Sequence, residues 1–313
     1  MQQELKIEIV NAANAYLTEK GISANDLSKI SSINAGYLSN MLRMQFTVMV
    51  SEKPVDIADR WFKKLAASIG FNLEQVRWET EMTVQFMEGV SWLEAAKANG
   101  QCGMIIGETG AGKTFFVDKF CLKHPSHTYR ITVSNLHTLP AIMEDMLEVL
   151  GLNGQWRMKN KLDLIARHMQ KLKGQGENVI FIMDESENLK IGVIRMLKAL
   201  YDKIADHCSI MLIATPELIN KLERMKKNER EGIPQFCRRF KAGTRYLTPV
   251  NKNYTLFLNK YVKDNGLRKL LLSECDNYGE LHDYLFPVIR EAHETGKPLT
   301  EELFRIYHNM PKF

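Results

Sequence analysis

The sequence predicts an α/β protein, with a parallel-sheet core, a small helical lid after it and an all-α module before it. Three observations carry this expectation. Between Gly103 and Leu247 apolar runs of strand length alternate with helical stretches, the pattern of a parallel sheet. One of those runs, Met104-Ile105-Ile106, leads straight into a glycine-rich loop. The first 45 residues show only short amphipathic helices.

Leu5, Ile9, Ala12, Ala13 and Tyr16 recur at helical spacing, and Gly21 closes that first helix. Ser23 suits the N-cap of a second helix carrying Leu27 and Ile30, and a third runs from Asn34 to about Arg43. Leu38, Met41 and Leu42 form an apolar stripe on the third helix. Asn34, Tyr37, Asn40 and Arg43 are left on its open face, and these are residue types that read DNA grooves. The stretch LSKISSINAGYLSNML resembles a phage-repressor helix-turn-helix, with Ser32 where the turn usually has glycine. Residues 1–60 hold six Lys/Arg against seven acids, a weak electrostatic basis for DNA binding, so a partner-binding bundle stays open. Trp61, Phe62, Leu65, Ile69 and Phe71 form the apolar face of an expected linker helix.

A stronger helix spans Val84 to Ala98 and ends at Asn99-Gly100. Strands are expected at Gly103–Gly107, Tyr129–Val133, Val179–Asp184, Ile210–Thr215 and Arg245–Leu247. After Pro249 the pattern is helical, at Tyr254–Val262, Leu267–Leu272, Leu281–His293 and Glu301–Met310. The expected parts are a helix-turn-helix-like domain over 1–48, a helical linker over 49–80, the α/β core over 81–249 and the lid over 250–313.

The chemistry is concentrated in two motifs. Gly107-Glu108-Thr109-Gly110-Ala111-Gly112-Lys113-Thr114 fits the GxxxxGK[ST] phosphate loop. Its glycines let backbone N–H groups approach phosphate oxygens, Lys113 neutralises the β/γ charge, and the Thr114 hydroxyl is a magnesium ligand. Further on, the apolar run from Val179 to Met183 delivers Asp184 and Glu185. Asp184 suits Mg2+ and Glu185 suits polarisation of an attacking water, so the pair of motifs points to ATP hydrolysis.

Composition removes several classes. Apolar residues at 45% and charged residues at 25% are those of a globular protein, not a disordered or fibrous one. No apolar run reaches the ~20 residues of a membrane span and no signal peptide is visible, so the sequence reads as cytoplasmic, with no membrane partner. Five scattered cysteines without a CxxC suggest neither a disulfide framework nor a zinc site. Net charge is +5, and the segment from Glu217 to Lys252 holds ten Lys/Arg against four acids. Lys226, Lys227 and Arg230 are its candidate phosphate contacts, and Trp156-Arg157-Met158-Lys159-Asn160-Lys161 is a smaller basic stretch that could track a backbone. A solvated helix face is the plain alternative for both.

The two motifs together resemble the Walker A and Walker B elements of the AAA+ ATPases. That resemblance covers roughly residues 80–310 and implies further roles. Thr215, ending the strand Ile210–Thr215, resembles the polar sensor beside the γ-phosphate. Pro234-Gln-Phe-Cys-Arg238-Arg239-Phe240 resembles the segment that offers an arginine to a neighbour's ATP, Arg239 being the first choice and Arg238 the second. In the lid, Gly279-Glu-Leu-His282 has histidine where the family often has a sensing arginine. The order of parts resembles the DNA-transposition ATPases of phages, transposons and insertion sequences. This implies a homo-oligomer, ring or helical filament, that binds duplex DNA with ATP, engages a transposase and releases on hydrolysis. A helicase loader, or a nucleotide-gated protein-binding switch, is the alternative.

Overall fold

The computed structural model describes residues 1, 3–50, 53–73, 76–152, 157–204 and 208–311. They form two compact units, Met1–Arg77 and Trp78–Phe313.

The first unit opens with α1 (Gln3–Lys20), α2 (Ala24–Ser31) and α3 (Ala35–Leu42). Ser23 and Asp26 cap α2 reciprocally: Asp26 N–H donates to Ser23 Oγ at 3.2 Å and Ser23 N–H to Asp26 Oδ2 at 3.1 Å. α2 ends at Ser32, a non-glycine residue at φ 48°, and three residues later α3 is under way. Asn34 is spent locally, because its Oδ1 accepts from Gly36 N–H at 2.9 Å and caps α3. The helical linker gives way to a different arrangement. An antiparallel hairpin of β1 (Thr47–Val50) and β2 (Lys53–Asp56) precedes α4 (Asp59–Ser68), and Ile69 and Phe71 fall beyond the helix. The β-branched run Thr47-Val48 favours a strand, and Pro54, with no N–H to donate, is tolerated because a two-stranded sheet is all edge. Phe62 and Leu65 of α4 are fully buried with Ile9, Leu27 and Leu38, so this segment completes the helical core.

In the second unit α5 (Val84–Asn99), capped by Thr83 and closed by Gly100 at φ 65°, precedes β3 (Gly103–Ile106), α6 (Lys113–Lys123) and β4 (Thr128–Thr132). α7 (Leu139–Val149) and α8 (Met158–Gly174) lead to β5 (Val179–Asp184), followed by α9 (Ile191–Ile204) and β6 (Cys208–Ala214). α10 (Pro216–Lys227) and α11 (Ile233–Lys241) lead to β7 (Thr244–Tyr246). The five strands are parallel, in the order β4-β5-β6-β3-β7. Every residue of β5 and β6 is buried, which is why both read as unbroken apolar runs rather than alternating ones. Phe181 and Leu212 face Ile142, Ile165, Leu197 and Phe236 of α7, α8, α9 and α11, while Ile182 and Ile213 face Leu93 and Phe116 of α5 and α6. The strands lie within two residues of the expected spans.

The lid comprises α12 (Thr255–Tyr261), α13 (Asn265–Glu274), α14 (Tyr278–Thr295) and α15 (Glu301–Tyr307), around Leu267, Leu271, Leu281 and Phe304. Among the described residues no helix is long and apolar enough to cross a membrane, and the five cysteines are free.

Candidate nucleotide site

The loop Gly107–Thr114 joins the carboxyl end of β3 to α6, so the first backbone N–H groups of that helix, without partners in the helix itself, border the loop. Gly110 and Gly112 adopt φ 71° and 81°, which side-chain-bearing residues rarely do. Lys113 Nζ donates to the carbonyls of Gly107 and Glu108, both at 2.8 Å. Burial pushes its pKa down from the ordinary lysine value, against the pull of Glu187 and Asp184.

Asp184 ends β5 and is 1% exposed. Thr114 Oγ1 donates to its Oδ2 at 3.1 Å, which unites the two motifs across 70 residues of chain. A third member was not foreseen. Arg130 of β4 donates from Nη2 to the same Oδ2 at 2.8 Å and is also ion-paired with Asp118 of α6. The strand register explains it: Thr132 lies opposite Asp184 and Arg130 opposite Ile182, so Arg130 shares the face of Asp184. Burial works against its charge, but the two carboxylates overcome this and hold its pKa above the ordinary value. The only signal in the sequence was an arginine two residues before a strand end.

Glu185 is exposed and strained at φ 54°, ψ 39°, a left-handed conformation costing about 1–2 kcal/mol outside glycine. Asn188 Nδ2 donates to its Oε2 at 3.5 Å. Thr215 caps the end of β6: its N–H donates to Glu187 Oε2 at 3.3 Å, while its buried Oγ1 has no partner. Glu187, missed by sequence reasoning, follows the carboxylate pair by two residues.

Lys113, Thr114, Asp184, Glu185, Glu187 and Thr215 line a cavity of about 780 Å³ shared with the lid. Gly279 N–H donates to Gly110 O at 3.3 Å, so α14 touches the phosphate loop through backbone. Trp78 stacks on Phe257 and Tyr261 with centroids 5.2 and 5.0 Å apart, and meets His282 edge-on at 5.2 Å. His282 Nδ1 lies 2.9 Å from Asp283 Oδ1. It is a member of an aromatic wall, a surface suited to a planar base.

The remaining candidates of this unit lie away from the cavity lining. Arg239, the first choice for a trans-acting arginine, is held within its own chain: Nη2 lies 2.5 Å from Asp202 Oδ1 and the guanidinium stacks over Tyr201. Arg238 is the exposed neighbour. Lys161 is likewise tied, to Glu144 at 3.1 Å, because helical spacing turns it toward α7; Arg157 and Lys159 stay exposed, and Trp156 lies outside the described residues. Lys226 and Lys227 are exposed in the last turn of α10, where cations complement the helix dipole, and exposed Arg230 follows. In the first unit Tyr37 is half-buried against Trp61, Asn40 is half-buried and Arg43 is exposed.

An orphaned buried hydroxyl, two left-handed glycines, a helix start and an amine with only carbonyl partners fit a bound nucleoside triphosphate. Thr114 and Asp184 fit the magnesium that accompanies it. The family described as "AAA domain" matches residues 96–222. Among curated proteins none matches the chain. The chain is similar to the crystal structure of Cdc6p from Pyrobaculum aerophilum, at 12% identity and TM-score 0.52, covering 71% of this chain and 66% of that one. It is also similar to the ADP form of the Aeropyrum pernix ORC2 protein, at 17% identity and TM-score 0.51, covering 73% and 69%. The Aeropyrum pernix ORC1 protein in complex with DNA gives 13%, 0.50, 72% and 64%. At such identities the likeness is one of fold, and this chain spans about two thirds of each of those chains. Sheet order, phosphate loop and matched segment agree on the fold: the second unit has a P-loop core of the AAA+ fold, with its residues 96–222 similar to the AAA domain family.

Proposed function

We propose that the chain is a DNA-directed ATPase of the initiator or helicase-loader kind, in which ATP binding sets a DNA-engaged state and hydrolysis ends it. The observation that carries the ATPase is the convergence of Lys113, Thr114, Asp184, Glu185 and the unpartnered Thr215 hydroxyl on one cavity. Lys113 and the loop N–H groups bind the phosphates. Thr114 and Asp184 hold magnesium, which when bound offsets phosphate charge. Glu185 orients the attacking water and accepts its proton, Asn188 steadies that carboxylate, and Thr215 donates to the γ-phosphate. The aromatic wall at Trp78 takes the base. Arg238, exposed where Arg239 is tied to Asp202, reaches the nucleotide of a neighbouring copy.

DNA as the target draws support from the fold shared with a protein solved in complex with DNA and from the basic surface of α10. A second reading, the transposition ATPase, rests on the order of parts: two short helices joined by a tight turn stand before the core. A loader prefers single strands and a helicase partner; a transposition ATPase prefers duplex and a transposase. Turnover and DNA binding, measured on duplex and single strands with a non-hydrolysable analogue, test both. Lys113→Ala is expected to abolish nucleotide binding and all ATP-dependent DNA affinity. Unchanged ATP-dependent binding in that variant would sink the mechanism.

A further inference from the structure

The near-neutral charge of the first unit conceals a segregation of its charges. Asp59 is taken by Lys6 at 2.8 Å and by the terminal amine, Glu8 by Arg77 at 2.6 Å, and Asp26 by the Ser23 cap. Arg60, Lys63 and Lys64 share the exposed face of α4, opposite buried Phe62, Leu65 and Ala66. Among the described residues none of the three has a carboxylate partner. Two of them share one ring: Arg60 and Lys64 lie 5.0 and 5.8 Å from the centroid of Trp61, which meets Tyr37 of α3 at 5.8 Å. Lys64 Nζ donates to Ser32 O at 3.0 Å, so the patch continues onto the turn between α2 and α3.

We infer that this face of α4, with the turn at Ser32 and the start of α3, is a docking surface for the phosphate backbone of duplex DNA, independent of nucleotide. Unpaired cations flanking a turn between two short helices complement a phosphate row, and such contacts fix orientation without reading bases. Duplex is favoured over single strands because cations and Tyr37 occupy the surroundings of Trp61, leaving no bare platform for base stacking. Three of the acids that made the module unattractive by count, Glu8, Asp26 and Asp59, are engaged elsewhere. The inference rests on the DNA-directed reading above but requires no ATP.

The test uses the full chain without nucleotide and a duplex of about 30 base pairs, over a salt series. The triple variant R60Q/K63Q/K64Q is expected to lose affinity roughly tenfold or more and to flatten the slope of log K against log salt by up to about three. R60Q/K63Q keeps the Lys64–Ser32 bond, guards against loss of fold, and should flatten it by about two. Lys20→Gln, at an exposed position in the last turn of α1, should bind as the wild type does. Wild-type binding that the charge variants leave unchanged, or that appears only with ATP, overturns the inference and leaves the ATPase reading standing. A wild type that ignores DNA with and without nucleotide overturns the DNA-directed reading and this inference with it.

Discussion

Thr215 shows what a single residue can hold in reserve. A buried hydroxyl without a partner costs about 1–3 kcal/mol, and folded interiors rarely tolerate one unless it has a use. Thr215→Val removes that cost while nearly preserving shape. The ligand-free variant should melt higher, by about 1 kcal/mol of stability, yet turn over ATP at least about tenfold more slowly; calorimetry and a turnover assay together check this. Asp59 offers a pH test of the first unit. Hydrogen bonds from Lys6 and the terminal amine lower its pKa to about 2, below the unfolded value of about 3.9. Its stabilising contribution is complete above the unfolded value and is lost as pH falls from about 4 through about 2. Asp59→Asn should flatten acid unfolding over that window, followed by circular dichroism.

At the scale of elements, the strands and helices of the core were legible because their signals are redundant. β5 and β6 are apolar throughout, and the phosphate loop states its own geometry. The hairpin at β1 and β2 was not, since two strands of four residues give too few alternations to outweigh the helical spacing of the Trp61 region. Lys161, Arg239 and Arg130 share another reason: residue type was readable, but its partner is set by neighbouring elements distant in sequence. Arg239 was assigned outward and is tied by Asp202, whereas Arg130 went unnoticed and reaches Asp184. The lid's grip on the phosphate loop is equally tertiary. A side chain at Gly110 would collide with Asn277, whose Oδ1 cannot yield because it caps α14 by accepting from Glu280 N–H at 2.9 Å. Gly110→Ala, strained also by φ 71°, should weaken ATP binding roughly a hundredfold while the core keeps its fold, as titration calorimetry would read.

For the whole molecule, the division after Arg77 leaves the aromatic wall entirely within the second unit. A fragment beginning at Trp78 is therefore expected to bind ATP with the affinity of the full chain and to lose nucleotide-independent DNA binding. A fragment beginning at Thr83 lacks Trp78 and should bind nucleotide about tenfold more weakly, a deficit of ~1.4 kcal/mol in line with one lost aromatic stack. The same ring has an optical consequence. Of the four tryptophans, Trp78 borders the cavity, and its indole lies against two lid rings and the edge of His282. Any arrival of a purine or parting of those rings changes its ultraviolet emission, so the protein carries an intrinsic fluorophore at the place where lid and base meet, and lid motion can be timed in stopped flow without attaching a dye.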